Sequence, residues 1–134
     1  MLRGLSTISF YADDVTEASK WYTELLGIAP YFERGNPDGT PAYVEFRIGD
    51  FQHELGIIDR RYAVPGTAPA VGESITFWHV DDLAESLDRL VAMGAQVHDG
   101  IRERGEGFDT ASVIDPFGNI LGIMTNPHYL SMIR

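Results

Sequence analysis

The 134-residue chain contains no cysteine, which removes disulfides, thiolate nucleophiles and cysteine-ligated zinc or iron–sulfur centres together. It has no apolar run approaching the ~20 residues that a membrane-spanning helix needs. The start Met1-Leu2-Arg3-Gly4 lacks the apolar stretch of a secretion signal. A cytoplasmic protein with no membrane partner is therefore the expectation. Cationic side chains are scarce, with 10 Lys and Arg against 20 Asp and Glu and a formal charge of −10. Such a surface repels phosphate backbones and anionic lipid heads, which argues against nucleic acid as a partner. The excess of acid serves solubility, and it would also attract a cationic small molecule; both readings stand. Also missing are a G-x-S-x-G elbow, a phosphate-binding P-loop and a dinucleotide fingerprint. Gly105-Glu106-Gly107 follows an expected strand but opens no helix, so it reads as a hairpin loop.

What is present suits a single small domain, since 44% of the residues are hydrophobic and can bury a core without covalent staples. Ala18, Trp21, Tyr22, Leu25 and Leu26 recur at helical spacing and predict one buried stripe. Leu83, Leu87, Leu90 and Val91 predict a second. Asp14 with Glu17, and Asp82 with Glu85, place a capping carboxylate three residues ahead of an acid. Gly27 and Gly94 supply the stops.

The correspondence runs beyond the helices. Asp13-Asp14-Val15 matches Asp81-Asp82-Leu83, Leu55-Gly56-Ile57 matches Leu121-Gly122-Ile123, and Gly49 and Phe51 line up with Asp115 and Phe117. This is the signature of a duplicated unit of about 65 residues. Each unit reads as a strand, a helix and three strands, an α+β fold of two tandem βαβββ modules. Module 1 spans about 1–60, a linker about 61–73 and module 2 about 74–134. The strands are expected at Leu5–Ala12, Ala29–Arg34, Ala42–Ile48 and Gln52–Asp59, then Ser74–Val80, Gln96–Glu103, Asp109–Asp115 and Asn119–Asn126. Asn36-Pro37-Asp38-Gly39 and Pro116-Phe117-Gly118-Asn119 read as turns, and Pro65 to Gly72 as the linker.

Tyr11-Ala12-Asp13-Asp14-Val15 leading to Trp21-Tyr22, then Val80-Asp81-Asp82-Leu83, and above all Asp115-Pro116-Phe117-Gly118-Asn119, resemble the vicinal oxygen chelate superfamily. That superfamily includes glyoxalase I, extradiol dioxygenases, methylmalonyl-CoA epimerase, fosfomycin-modifying enzymes and bleomycin-binding proteins. The resemblance covers nearly the whole chain. It implies paired modules whose curved mixed sheets form a ligand cup, and a homodimer. It also implies, in metal-dependent members, His and Glu ligands on the first and last strand of each module. Those places here are Thr7, Gly56, Ile75 and Gly122, and none but the Thr7 hydroxyl has a side chain that could reach a metal. No metal and no cofactor are therefore expected.

Period-two alternation assigns faces independently. Leu55 and Ile57, like Leu121 and Ile123, should pack under the helices. The cup should then collect Thr7, Ser9, Tyr11, Glu54, Gly56 and Ile58 from module 1, and Ile75, Phe77, His79, Ile120, Gly122 and Met124 from module 2. Its polar points are Ser9, Tyr11, Glu54 and His79 on apolar walls, the usual composition of a small-molecule site. Glu54, His79 and Tyr11 are the candidates for acid/base work, against the plainer readings of a solvated rim carboxylate, a structural imidazole and core aromatics. His53 faces away from Glu54 and cannot chelate with it, and His98 and His128 read as packing or surface residues. The expected function is metal-free binding of a small organic molecule, such as sequestration of an antibiotic or aromatic metabolite. Two alternatives stay open: a lyase, isomerase or dioxygenase using a relocated metal or acid/base residues, and a partner-binding module whose cup is filled by its own side chains.

Overall fold

Alternation and helical periodicity resolve the chain into two compact units, Met1–Ala68 and Pro69–Arg134. The computed structural model describes residue 1, residues 3–65 and residues 74–133. Most of the expected linker lies outside the described residues; at its near end, Arg60–Tyr62 forms a 3-10 turn.

Unit 1 runs β1 (Thr7–Ala12), α1 (Val15–Leu26), β2 (Phe32–Gly35), β3 (Pro41–Ile48) and β4 (His53–Asp59). Its sheet has the order β1-β4-β3-β2, with β1 parallel to β4 and the other pairs antiparallel. Unit 2 repeats this with β5 (Phe77–His79), α2 (Leu83–Ala92), β6 (Gln96–Glu103), β7 (Asp109–Ile114) and β8 (Ile120–Met124) in the order β5-β8-β7-β6. A last short helix, α3 (Pro127–Met132), follows. The two tandem βαβββ modules are thus present, each a four-stranded mixed sheet with its helix between the first and second strands.

Each helix starts where its cap predicts. Asp14 Oδ1 accepts from the Glu17 amide at 3.1 Å and Asp82 Oδ1 from the Glu85 amide at 3.0 Å, each such cap contributing about 1 kcal/mol. Gly27 ends α1 at φ 70°, a left-handed conformation that glycine adopts without steric cost. Under α1, Val15, Ala18 and Tyr22 are buried against Phe10, Val44, Phe46, Leu55 and Ile57. The Tyr22 ring centroid lies 6.2 Å from that of Phe10 and 6.5 Å from that of Phe46. Leu83 and Leu90 of α2 are buried, as are Val113, Leu121 and Ile123. Each fully buried side chain of this size contributes roughly 1.5–3 kcal/mol. Val91, expected in that stripe, is instead 45% exposed.

The remaining differences have local causes. Strand β2 begins at Phe32 rather than Ala29, because Pro30 has no amide to donate and pairing starts only with the Tyr31 amide to the Glu45 carbonyl at 3.0 Å. Strand β1 starts at Thr7, leaving Leu5 63% exposed. Strand β5 is short, although the Gly122 amide donates to Thr76 O and the Val80 amide to Met124 O just beyond its ends. The unexpected α3 is announced by Asn126-Pro127: Asn126 Oδ1 caps the His128 and Tyr129 amides at 2.9 and 3.1 Å, and proline suits the first helical position. The Asp115 turn is built around a buried carboxylate whose Oδ1 accepts from the Phe117 and Asn119 amides at 3.0 and 2.8 Å.

Candidate functional site

In unit 1 the face turned away from α1 is set by register. Thr7 lies beside Glu54, Ser9 beside Gly56 and Tyr11 beside Ile58, so all six expected residues do share one face. Across β4, strand β3 contributes Arg47 beside Glu54, Glu45 beside Gly56 and Tyr43 beside Ile58. Strand β2 then places Phe32 beside Glu45 and Arg34 beside Tyr43.

The chemistry of this face centres on Glu45, which is only 8% exposed. The Tyr43 hydroxyl donates to Glu45 Oε1. The Tyr31 hydroxyl donates to Glu54 Oε2 at 3.1 Å. The Arg47 guanidinium carbon lies 4.3 Å over the Tyr31 ring. Burial and the neighbouring Glu54 carboxyl push the Glu45 carboxyl up to about 7, against a smaller lowering by Arg47. Burial and the Glu54 charge likewise raise the Tyr43 phenol. A carboxyl in this state can hold or release a proton near neutrality, the property that acid/base and ligand-sensing groups share.

Glu45, Tyr43, Tyr31 and Arg47 were not among the residues singled out from the sequence. The signal was available in Pro-Ala-Tyr-Val-Glu-Phe-Arg-Ile, where Ala42, Val44 and Phe46 are buried and Tyr43, Glu45 and Arg47 alternate with them. Neither Gly56 nor Gly122 leaves open space on its face. A Cβ built on Gly56 would collide with the Tyr43 phenol, whose Cε1 would lie 2.6 Å away. A Cβ on Gly122 would meet Thr76 O at 2.6 Å, the Phe77 ring at 2.7 Å and the Ile75 side chain at 2.9 Å.

In unit 2, Phe77 pairs with Gly122 and His79 with Met124, again on one face. Phe77 is 38% exposed. Both nitrogens of His79 are engaged: Nδ1 accepts from the Asn126 amide at 3.1 Å, and Nε2 lies 3.3 Å from Asp81 Oδ1. Its ring stacks on Tyr129 at 4.9 Å, tying α3 to β5. Met124 Sδ accepts from Asn126 Nδ2 at 3.7 Å. His98 bonds through Nδ1 to the buried Ser112 Oγ at 2.8 Å, and His128 packs edge-on to Phe108. His53 borders an open groove of about 500 Å³ that also draws on Arg3, Leu5, Phe51 and Glu54.

A family model for the Glyoxalase/Bleomycin resistance protein/Dioxygenase superfamily matches residues 4–123. The chain belongs to this superfamily. No curated protein matches it. Among solved structures, a glyoxalase-related enzyme from Fulvimarina pelagi is similar at TM-score 0.71 and 22% identity, over 94% of this chain and 90% of that one. A bleomycin resistance determinant encoded on the transposon Tn5 is similar at TM-score 0.63 and 23% identity, over 92% of this chain and 98% of that one. The fosfomycin resistance protein FosX from Listeria monocytogenes is similar at TM-score 0.70 and 13% identity, over 94% and 95%. At these identities the likeness shows a shared fold.

The metal positions implied by membership in the glyoxalase superfamily do not fit a divalent ion here. Gly56 and Gly122 have no ligating side chain, and the volume beside each is taken by Tyr43 and by Phe77 with Ile75. Ile75 is apolar and Thr7 offers one hydroxyl, too few donors to displace a metal's water. Among the described residues no three His, Cys, Asp or Glu side chains converge on one point. No described helix is long and apolar enough to cross a membrane.

Proposed function

We propose that this glyoxalase-superfamily protein binds a small organic molecule on the Glu45 face of unit 1, without a resident metal and as a homodimer. The observation that carries the reading is the buried Glu45 carboxyl, which accepts from the Tyr43 hydroxyl and sits between Phe32 and a glycine, Gly56. Burying an ionisable group costs free energy and persists where it serves recognition or chemistry. Tyr31, Phe32 and Tyr43 form a run of rings with centroids 6.5 and 6.3 Å apart, which supplies apolar contact area for a partly aromatic ligand. The net acidity of the chain favours neutral or cationic ligands over anions. The resistance functions named for two structural neighbours make sequestration of an antibiotic or aromatic metabolite the first class to screen.

A thermal-shift screen of antibiotics, aromatic amines and aromatic metabolites tests the reading. Ligand at about 100 times its dissociation constant should add about 2.7 kcal/mol. Glu45→Gln and Glu54→Gln should then each weaken the ligand found by about 1–3 kcal/mol. A ligand whose affinity neither change alters would place the site elsewhere. One observation favours a second reading, acid/base catalysis: a carboxyl that titrates near 7 is suited to move protons at physiological pH. Turnover of a screened compound that is lost in Glu45→Gln would select it.

A further inference from the structure

Among the described residues, Arg3 is the one cationic side chain without a partner. Lys20, Arg60, Arg61, Arg102 and Arg104 are in ion pairs, Arg34 and Arg47 lie over the Phe32 and Tyr31 rings, and Arg89 is engaged as well. In a chain with 20 acidic residues against 10 basic ones, a guanidinium that finds no carboxylate is the exception. Arg3 instead lines the open groove of about 500 Å³, and Glu54 lines the same groove. Two opposite charges thus share one groove without pairing with each other. We infer that this groove binds a free α-amino acid with a bulky apolar side chain, its carboxylate on Arg3 and its ammonium on Glu54.

Each wall meets one requirement of such a ligand. A guanidinium presents paired donors that match a carboxylate. Glu54 accepts from the Tyr31 hydroxyl through Oε2 at 3.1 Å, and a carboxylate that accepts one such bond has lone pairs left for an ammonium. Phe51 and Leu5 border the groove and are 48% and 63% exposed, and the His53 ring centroid lies 5.8 Å from that of Phe51. Together they offer apolar area for the side chain. The turn that carries Phe51 is fixed: Gln52 stands at φ 53°, in the left-handed region, and its amide and its Nε2 both donate to Gly49 O, at 3.1 and 2.9 Å. The groove therefore exists before the ligand arrives, which lowers the cost of ordering, and its volume falls in the ~300–1,000 Å³ range of small-molecule sites. A simple anion would meet Glu54 within a chain of charge −10, and a simple cation would meet Arg3. Only a molecule carrying both charges satisfies both ends. Of the residues on the Glu45 face, Glu54 alone borders this groove, so the inference goes beyond the function proposed above.

The test is an NMR titration of the full-length, isotopically labelled chain near neutral pH with three probes: phenylalanine, phenylpropionate, which lacks the ammonium, and phenethylamine, which lacks the carboxylate. Phenylalanine should bind at least about tenfold more tightly than either, the scale of one lost charge-assisted hydrogen bond, and should shift the amides of Gly4, Leu5 and Phe51 to Glu54. Arg3→Gln should abolish the preference over phenethylamine, and Arg3→Lys should restore part of it. Glu54→Gln should abolish the preference over phenylpropionate; if that variant folds poorly, the Arg3 pair still decides. Equal affinity for the three probes, a preference that survives Arg3→Gln, or the absence of any saturable shift, as for a merely solvated Arg3, would each overturn the inference. Shifts centred on Tyr43 to Arg47 would overturn it too, while leaving the Glu45 face standing as a binding site.

Discussion

The phenol of Tyr43 fills the place that a side chain at position 56 would occupy, so the absence of a Cβ at Gly56 and the presence of Tyr43 are one feature. The ring lies against Gly56 of β4 and brings its hydroxyl to Glu45, two residues along β3. A glycine that superficially leaves a gap in the sheet is thereby part of a filled contact.

Gly56→Ala should cost about 1–3 kcal/mol, the usual range for forcing extra atoms into packed volume. In a Tyr43→Ala background the same change should cost much less, because the obstructing ring is gone. Urea unfolding of the four proteins in the cycle gives the coupling directly. Additive costs would show that Gly56 is required for some reason other than Tyr43.

Stability should fall as pH rises through the window between about 4.5 and about 7. The folded-state Glu45 binds its proton more tightly than the unfolded chain does, so between these values the folded state carries more protons and raising the pH favours unfolding. Above 7 the effect should level off. Melting temperature against pH checks this, and Glu45→Gln should flatten the slope.

At the acid end a different group should dominate. Burial alone would raise the Asp59 carboxyl, but hydrogen bonds from the Arg61 amide, Asn36 and the Arg61 side chain overcome it and hold the group below its ordinary value. Its stabilisation is present above the unfolded value and is lost as pH falls through the folded one. Asn36 Nδ2 donates to Asp59 at 3.3 Å and its Oδ1 accepts from the Tyr62 hydroxyl. Asn36→Ala should therefore cost about 1–3 kcal/mol by removing one of the hydrogen bonds to Asp59 and the acceptor of the Tyr62 hydroxyl, and should weaken the protection against acid unfolding, measured by circular dichroism.

His79→Phe should keep the stack on Tyr129 while removing the acceptor for the Asn126 amide. The expected result is a loss of about 1 kcal/mol and faster hydrogen exchange at Asn126 and along α3. Unchanged exchange there would mean that the cap of α3 alone holds the helix.

The duplication, both helix starts and most strand bounds were legible because they rest on local chemistry: caps at Asp14 and Asp82, a stop at Gly27, and alternation about Leu55 and Leu121. The shared face of Thr7, Ser9, Tyr11, Glu54 and Gly56 followed from the same alternation. Glu45 escaped notice because its distinction comes from long-range pairing. Within β3 it is one polar residue among several, and only the β3–β4 register sets it against Gly56 and next to Glu54. His79 stood out by residue type, whereas its engagement of Asn126 spans 47 positions and could not be read from spacing. The start of β2 at Phe32 rather than Ala29 follows from the missing amide of Pro30.

Strands β2 and β6 form one border of each sheet and are almost wholly exposed. Both are irregular: β2 is four residues long with a register shift after Arg34, and β6 shifts after Val97 and again after Asp99. Bulges of this kind twist a border strand and interrupt its row of free amides and carbonyls, so another chain finds no straight template to extend. The charged residues Asp99, Arg102 and Glu103 add a further obstacle along β6. These two borders should therefore resist sheet-to-sheet aggregation at concentrations where smooth, apolar strands of the same length would begin to form fibres.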